Sequence, residues 1–323
     1  MFRLAFAAAA AALIAAPVAS ADQTEQTNNN SAAADHTVSG VTVTAAPKSS
    51  PLVDPASQFV KSHLPTNTNN QYARFHDPVC VRVIGLAPGF ADLVAKRVME
   101  LGKEARAPIS ASKECKPNVN VIFTSSPQAQ LDDIVKRRNI LLGFYLPSEL
   151  QKLKTFNRPI QAWYLTRSLD THGNSALELY DPEPCISSGA PGAPPCDIKS
   201  PPLVGRAGSR LGNDLSSELV HSLILVDVSK VSGLKIGSVA DYIAILALSR
   251  WQDLERCSSM RTILNLMAND CSDFAPEAAT VADLGLLTGL YSSRPRDPGS
   301  FQRMTIASRI RNAVEKDAAS PSP

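Results

Sequence analysis

Residues 80–102 read CVRVIGLAPGFADLVAKRVMELG, and residues 118–124 read NVNVIFT. Together they decide the fold. Cys80-Val81-Arg82-Val83-Ile84 alternates as a strand, and Gly85 ends it. Pro88 then opens a helix in its first turn, where the missing N–H costs nothing. Phe90, Leu93, Val94, Arg97, Val98 and Leu101 recur at helical spacing, and Gly102 suits the carboxy-terminal cap. The stretch 118–124 alternates again as a second strand. Ser126 followed by Pro127 signals the start of a second helix that runs to about Arg138. This β-α-β-α order predicts a crossover connection and parallel strands.

Working downstream, a short helix is expected at 147–153. Strands follow at 159–168 (PIQAWYLTRS) and 176–181 (ALELYD), joined by a turn at His172-Gly173-Asn174. Residues 186–202 are rich in Pro, Gly and Ser and read as a surface loop. The most apolar strand is 219–227 (LVHSLILVD). The rest is helical, at 238–250, 260–267, 281–291 and 301–314. The fold class is therefore α/β: a single mixed, largely parallel sheet flanked by helices, with a helical carboxy-terminal part. The globular domain is expected at 75–315 and a loose tail at 316–323.

Upstream, residues 1–21 have the make-up of a secretory signal peptide. Arg3 is the positive region, residues 4–16 the apolar run, and Ala19-Ser20-Ala21 the small residues before the cut. The run is too short to span a bilayer, and no later stretch is long and apolar enough to do so. Residues 22–74 are mostly Asn, Ser, Thr, Ala and Pro, and read as a disordered linker arm. Inside it, Pro55 to Leu64 suggests a helical turn whose Phe59, Val60 and Leu64 pack on the domain. Val38 to Ala45 (VSGVTVTA) alternates like a strand. That island loosely resembles the short box by which outer-membrane receptors engage an energy-coupling partner, which implies an envelope protein as a possible partner.

All six cysteines lie after the leader, and an even number suits an oxidising compartment. Six cysteines allow fifteen pairings. Neighbours bracket local units, which favours Cys80–Cys115, Cys185–Cys196 and Cys257–Cys271. The chain carries 32 Lys+Arg against 30 Asp+Glu. Such balance leaves no electrostatic footprint for nucleic acid or acidic lipid. The run Lys136-Arg137-Arg138 is offset by Asp132 and Asp133 one turn upstream and reads as a solvated helix face. The expected location is periplasmic or secreted.

The stretch from Ile236 to Tyr291 carries a second resemblance. Ser238-Val239-Ala240-Asp241 fits a capping box, and the helix beyond it is apolar on nearly every face, as a buried helix is. Thr280-Val281-Ala282-Asp283 repeats the box before a closing helix ending in Leu290-Tyr291. An apolar strand, a buried helix and a closing T-x-x-D…LY helix resemble the layout of the metzincin-type zinc peptidases. Laid on their H-E-x-x-H motif, Asp241 and Tyr242 fall at the first two positions and Ile245 at the second His. A zinc site needs two imidazoles at i and i+4 beside a general-base Glu. Ile245 has no lone pair to give, so the resemblance implies a scaffold lacking the HExxH metal, with no cofactor. The chain as a whole also resembles secreted proteobacterial proteins, which bears on compartment and not on chemistry.

Chemistry elsewhere is sparse. G-x-S-x-G, G-x-x-x-x-G-K-[ST] and G-x-G-x-x-G are all absent. Among five histidines, His221 stands out in the apolar strand near Glu218, on a line towards Asp241 and Tyr242. It is the candidate general base. Trp163 and Tyr164 occupy adjacent strand positions and should point to opposite faces. Only one of them should then pack in the core, and Trp163 with Arg167 could line a ligand groove. Two functions follow as expectations. The first is a non-catalytic exported envelope protein used for binding or assembly. The alternative is a periplasmic hydrolase using His221 with Asp241 or Glu218.

Overall fold

The chain divides into two units, residues 1–52 and 53–323. The computed structural model describes residues 54–112, 114–143, 147–177, 214–271 and 275–320, and the backbone of 37–38 and 41–42. In the first unit, β1 (Thr37–Val38) pairs antiparallel with β2 (Val41–Thr42). The expected leader, most of the arm, the 186–202 loop and the Cys185–Cys196 bridge lie outside the described residues.

In the second unit, β3 (Val81–Ile84), β4 (Val119–Thr124), β5 (Ile160–Leu169), β6 (Ser175–Leu177) and β7 (Ser216–Asp227) make one mixed sheet in the order β3-β4-β7-β5-β6. β3, β4 and β7 run parallel, as the β-α-β reading predicts. β5 runs antiparallel to β7 and to β6. The central strand β7 is paired on both sides and buried along nearly its whole length. That explains its continuous apolar run, since a strand covered on both faces has no polar side to alternate.

Helices cover both faces. The larger core holds α1 (Pro55–His63), α2 (Pro88–Glu104), α5 (Ile236–Leu248), α6 (Val281–Ser292) and α7 (Gly299–Ala319). The smaller core lies under α3 (Pro127–Arg138), the 3-10 turn Asn139–Leu142 and α4 (Pro147–Leu153), with Leu131, Leu142, Trp163, Leu223 and Leu225 at its centre. Two-sided cover corrects the reading of Trp163 as a groove residue. Trp163 is 1% exposed and donates Nε1–H to Leu153 O at 2.9 Å in the smaller core. Tyr164 is buried in the larger one.

Helix α5 is the hub of the larger core. Every residue from Ser238 to Leu248 is buried. A helix end hidden from water must find partners for its last four carbonyls. Here five side chains supply them, with Ser249 Oγ–H (3.0 Å) sharing Ile245 O. Trp251 Nε1–H donates to Ile245 O (2.9 Å), Tyr164 OH to Leu246 O (3.1 Å), Ser222 Oγ–H to Ala247 O (2.9 Å) and Tyr291 OH to Leu248 O (2.8 Å). The amino end departs from expectation. The helix starts at Ile236 with Lys235 as N-cap and no side-chain cap bond. Ser238 instead donates to Glu277 O. The second box is present as read: Thr280 and Asp283 cap α6 reciprocally. Asp283 also accepts from Thr262 Oγ1 and from Ile263 N at 2.9 Å, tying α6 to the preceding turn.

The α6–α7 contact is close because of Gly285 and Gly289. A Cβ at Gly289 would lie 2.6 Å from Ile306 Cα, and one at Gly285 2.9 Å from Arg309 O. Two bridges match the sequence reading, Cys80–Cys115 and Cys257–Cys271, closing spans of 35 and 14 residues. In the chain-entropy account these contribute about 4 and about 3 kcal/mol. Two disulfides fit an oxidising compartment outside the cytoplasm. Among the described residues, no helix is long and apolar enough to cross a membrane.

The compact unit starts ahead of the Phe75 boundary suggested by composition. α1 buries Ala56, Phe59 and Val60, and Tyr72, Ala73 and Phe75 are buried too. The polar residues between them are structural. Gln71 donates Nε2–H to Leu215 O (3.0 Å) and Asp297 O (3.2 Å). Arg74, 5% exposed, donates to Leu290 O and Ser293 O at 2.6 Å, seating a cation at the carboxy end of α6 where the helix dipole favours it. At the far end α7 runs to Ala319, past the expected tail boundary.

Candidate functional site

The residues singled out from sequence fall into two groups on opposite faces of the sheet. Asp241, Tyr242 and Ile245 belong to α5, in the larger core, and are 3%, 1% and 0% exposed. Asp241 is a strut: it accepts from Arg97 Nε and Nη2 of α2 and from the Ala279 backbone N–H at 2.7 Å. That hydrogen bond holds the Arg97 guanidinium above its ordinary range. Burial pushes the Tyr242 phenol well up. The helix that would present a zinc motif therefore presents hydrocarbon and one carboxylate already tied on both sides. Among the described residues, no group of three or more His, Cys, Asp or Glu is arranged to hold a metal ion.

His221, Glu218 and Arg167 lie on the other face. Register partners share a face, and here Leu165 pairs His221, Arg167 pairs Glu218, and Trp163 pairs Leu223 of the smaller core. The pairing shifts by one residue between Leu165 and Thr166, which keeps His221 and Glu218 on the same side. His221 thus meets neither Asp241 nor Tyr242, and their expected convergence in one pocket does not occur. Its Nε2 instead lies 2.7 Å from Asn120 Nδ2. Its Nδ1 is buried with no hydrogen-bond partner among the described residues. Burial, aided by the nearby Arg138 charge, lowers the ring to about 4.

Glu218 is engaged elsewhere. It accepts from Arg167 Nε at 2.6 Å, and His76 Nδ1 stands 3.7 Å from its other oxygen. Arg167 also reaches Asp77 at 3.0 Å. Burial lowers His76 while Glu218 pulls the other way. Asn120, Arg82 and His76 were not singled out by sequence. The signal was there, since Arg82 and Asn120 are the polar positions of two alternating apolar strands and are register partners.

A further concavity is lined by none of these side chains, though Ala279, whose N–H Asp241 accepts, stands on its edge. A groove of about 1160 Å³ runs between α1, the 258–261 and 276–282 segments and the carboxy-terminal half of α7. Its apolar lining includes Phe59, Met260, Val281, Ile310 and Val314. Four carboxylates (Asp54, Glu277, Glu315, Asp317) line it against two guanidiniums, Arg261 and Arg311. Arg311 pairs with Asp54, and Lys235 with Glu277. Glu315 and Asp317 have no ion-pair partner among the described residues. The lining also includes His63, Ser258 and Ser259, and among the described residues His63 Nδ1 has no hydrogen-bond partner. It can take up an apolar segment and favour a cation beside it. Comparison of the chain with protein-family models, curated proteins and solved structures finds no match.

Proposed function

We propose that this chain is an exported, non-catalytic envelope protein, a zincin-like layout without its metal, that binds a partner's apolar segment flanked by Lys or Arg. The observation that carries the reading is the groove beside α1 and α7, with its apolar floor and the free carboxylates of Glu315 and Asp317 on its wall. Extended or helical peptides bind such grooves through buried apolar anchors, and charge at the rim sets specificity. The separation of His221 from Asp241 by the sheet supports the same reading. A hydrolase would need His221 with Glu218, which do share a face, but that carboxylate already holds Arg167.

Selection from a displayed peptide library against the mature chain tests this. Enriched peptides should combine apolar anchors with Lys or Arg. Val314→Glu should abolish their binding, and Glu315→Lys with Asp317→Lys should turn the preference towards acidic peptides. These positions are exposed, so the fold is spared. Stoichiometric zinc kept through purification would overturn the proposal. So would peptidase or esterase activity that vanishes in a folded His221→Ala variant.

A further inference from the structure

The groove beside α1 carries one side chain that can gain charge near neutral pH. α1 is capped by Asp54, which pairs with Arg311 of α7, and ends at His63, which lines the groove with Ser258 and Ser259. Of the described histidines, His63 alone belongs to this lining. Its ring packs on Phe59, one turn back, with centroids 4.7 Å apart. Phe59 lines the groove too, and meets the Trp251 ring edge-on at 6.3 Å.

The two sides of this end are built differently. The 258–260 wall is held by the side chain of Asn265, which is 2% exposed. Asn265 Oδ1 accepts from Ser258 N at 3.0 Å, and Nδ2 donates to Ser258 O and Met260 O, both at 3.1 Å. The Cys257–Cys271 bridge anchors the same wall one residue upstream. His63 has no such hold on Nδ1, which is buried without a hydrogen-bond partner among the described residues. A cavity of about 10 Å³, lined by Phe59, His63, Arg256, Ser258 and Asn265 among others, adjoins the ring. A neutral ring can leave Nδ1 as a bare acceptor, whereas an imidazolium carries N–H on both nitrogens. A buried N–H with no acceptor is costly.

Few charges face the ring. Burial lowers it from its ordinary value, against the pull of the Gln252 and Asp253 backbone and of the Asp253 carboxylate. Arg256 lines the small cavity, Arg261 lies on the 258–261 wall, and Lys61 of α1 is exposed. The other carboxylates along α1 and the 276–282 segment, Asp54 and Glu277, hold Arg311 and Lys235.

We propose, on the reading of this groove as the seat of an apolar, cation-flanked segment, that His63 is its proton-operated release. The neutral ring supports Phe59 in the floor. The imidazolium must reach water or an acceptor for its Nδ1 proton, which shifts Phe59, and it adds positive charge beside a bound cation. Segment and ring proton therefore exclude one another. Affinity is full above the midpoint of the free ring and falls below it, towards tenfold per pH unit.

The test uses the full mature chain between pH 7.5 and pH 5, above the range where Glu315 and Asp317 lose charge. Without ligand, NMR follows the rings of His63, Phe59 and Trp251. The Phe59 and Trp251 signals should move with the His63 midpoint in the native chain and stay level in His63→Gln. The probe for binding is an acetylated, amidated peptide of Lys, Leu and Phe. Its affinity should fall about threefold or more from pH 7.5 to pH 5, and should hold level in His63→Gln. A probe that does not bind at pH 7.5 sinks the reading of the groove itself, and the ligand-free titration still decides the release. Phe59 and Trp251 signals that ignore the His63 titration overturn the proposal. So does a native affinity that stays level over this range, or one that falls equally in His63→Gln.

Discussion

The carboxy end of α5 and the surroundings of His221 are both places where polar groups meet a dry core, and they are resolved in opposite ways. At α5 four buried carbonyls meet five side-chain donors, from Trp251, Ser249, Tyr164, Ser222 and Tyr291. At His221 one ring nitrogen, Nδ1, is buried with no hydrogen-bond partner among the described residues. A satisfied set explains itself as architecture. An unsatisfied ring nitrogen, shared by His63, His76 and His221, marks a histidine that burial keeps neutral. The contrast separates groups that only hold the fold from those that make its stability depend on pH.

The largest effect expected is on the cross-links that frame both regions. Cys257–Cys271 sits between α5 and α6, and Cys80–Cys115 precedes the β4 strand that carries Asn120. Each should contribute about 3–4 kcal/mol, so a reductant should lower the thermal midpoint sharply. An unchanged midpoint would show that packing alone holds the two regions.

Acid should come next, and it acts on the His221 side. The ring titrates near 4 in the folded chain against an ordinary 6.5. As pH falls the unfolded chain takes up the proton first. Stability from this group is full above about pH 6.5 and declines towards pH 4, by roughly 3 kcal/mol in all. His63 and His76, also lowered by burial, act in the same direction. Denaturant midpoints at pH 7 and pH 4.5 check this, and His221→Gln should flatten the slope.

Asp241→Ala should cost about 2–3 kcal/mol by freeing Arg97 and the Ala279 N–H. Tyr291→Phe should cost about 1–2 kcal/mol, since it orphans the Leu248 carbonyl and changes little else. Arg138→Ala should move the denaturation midpoint by less than about 0.5 kcal/mol. A large loss there would place Arg138 with the architecture rather than with the charges that act on His221.

How much of this was legible in the sequence follows from range. Local patterns succeeded: the alternation at 118–124, the helical spacing from Phe90 to Leu101 and the Thr280–Asp283 box each involve neighbours a few residues apart. Asp241 was misread because its partners arrive from 144 and 38 residues away. The local rule that made it a cap had no competitor in view. His221 was noticed for its setting, but Asn120 stands 101 residues off. Composition misjudged residues 65–74, since Gln71 and Arg74 look like linker residues until the carbonyls they serve are known. The groove was illegible for the same reason. Its walls come from residues 54 to 317, and no single segment is marked as a surface for binding.

The five bonds at the end of α5 also set an order of events. Their donors come from residues 164, 222, 249, 251 and 291, so no shorter stretch of chain completes the set. When the polypeptide is delivered amino end first, Leu248 waits 43 residues for the Tyr291 hydroxyl. Until then the carbonyl end of the most apolar helix among the described residues stays open to water. The end of α5 therefore cannot be fully satisfied before α6 has arrived.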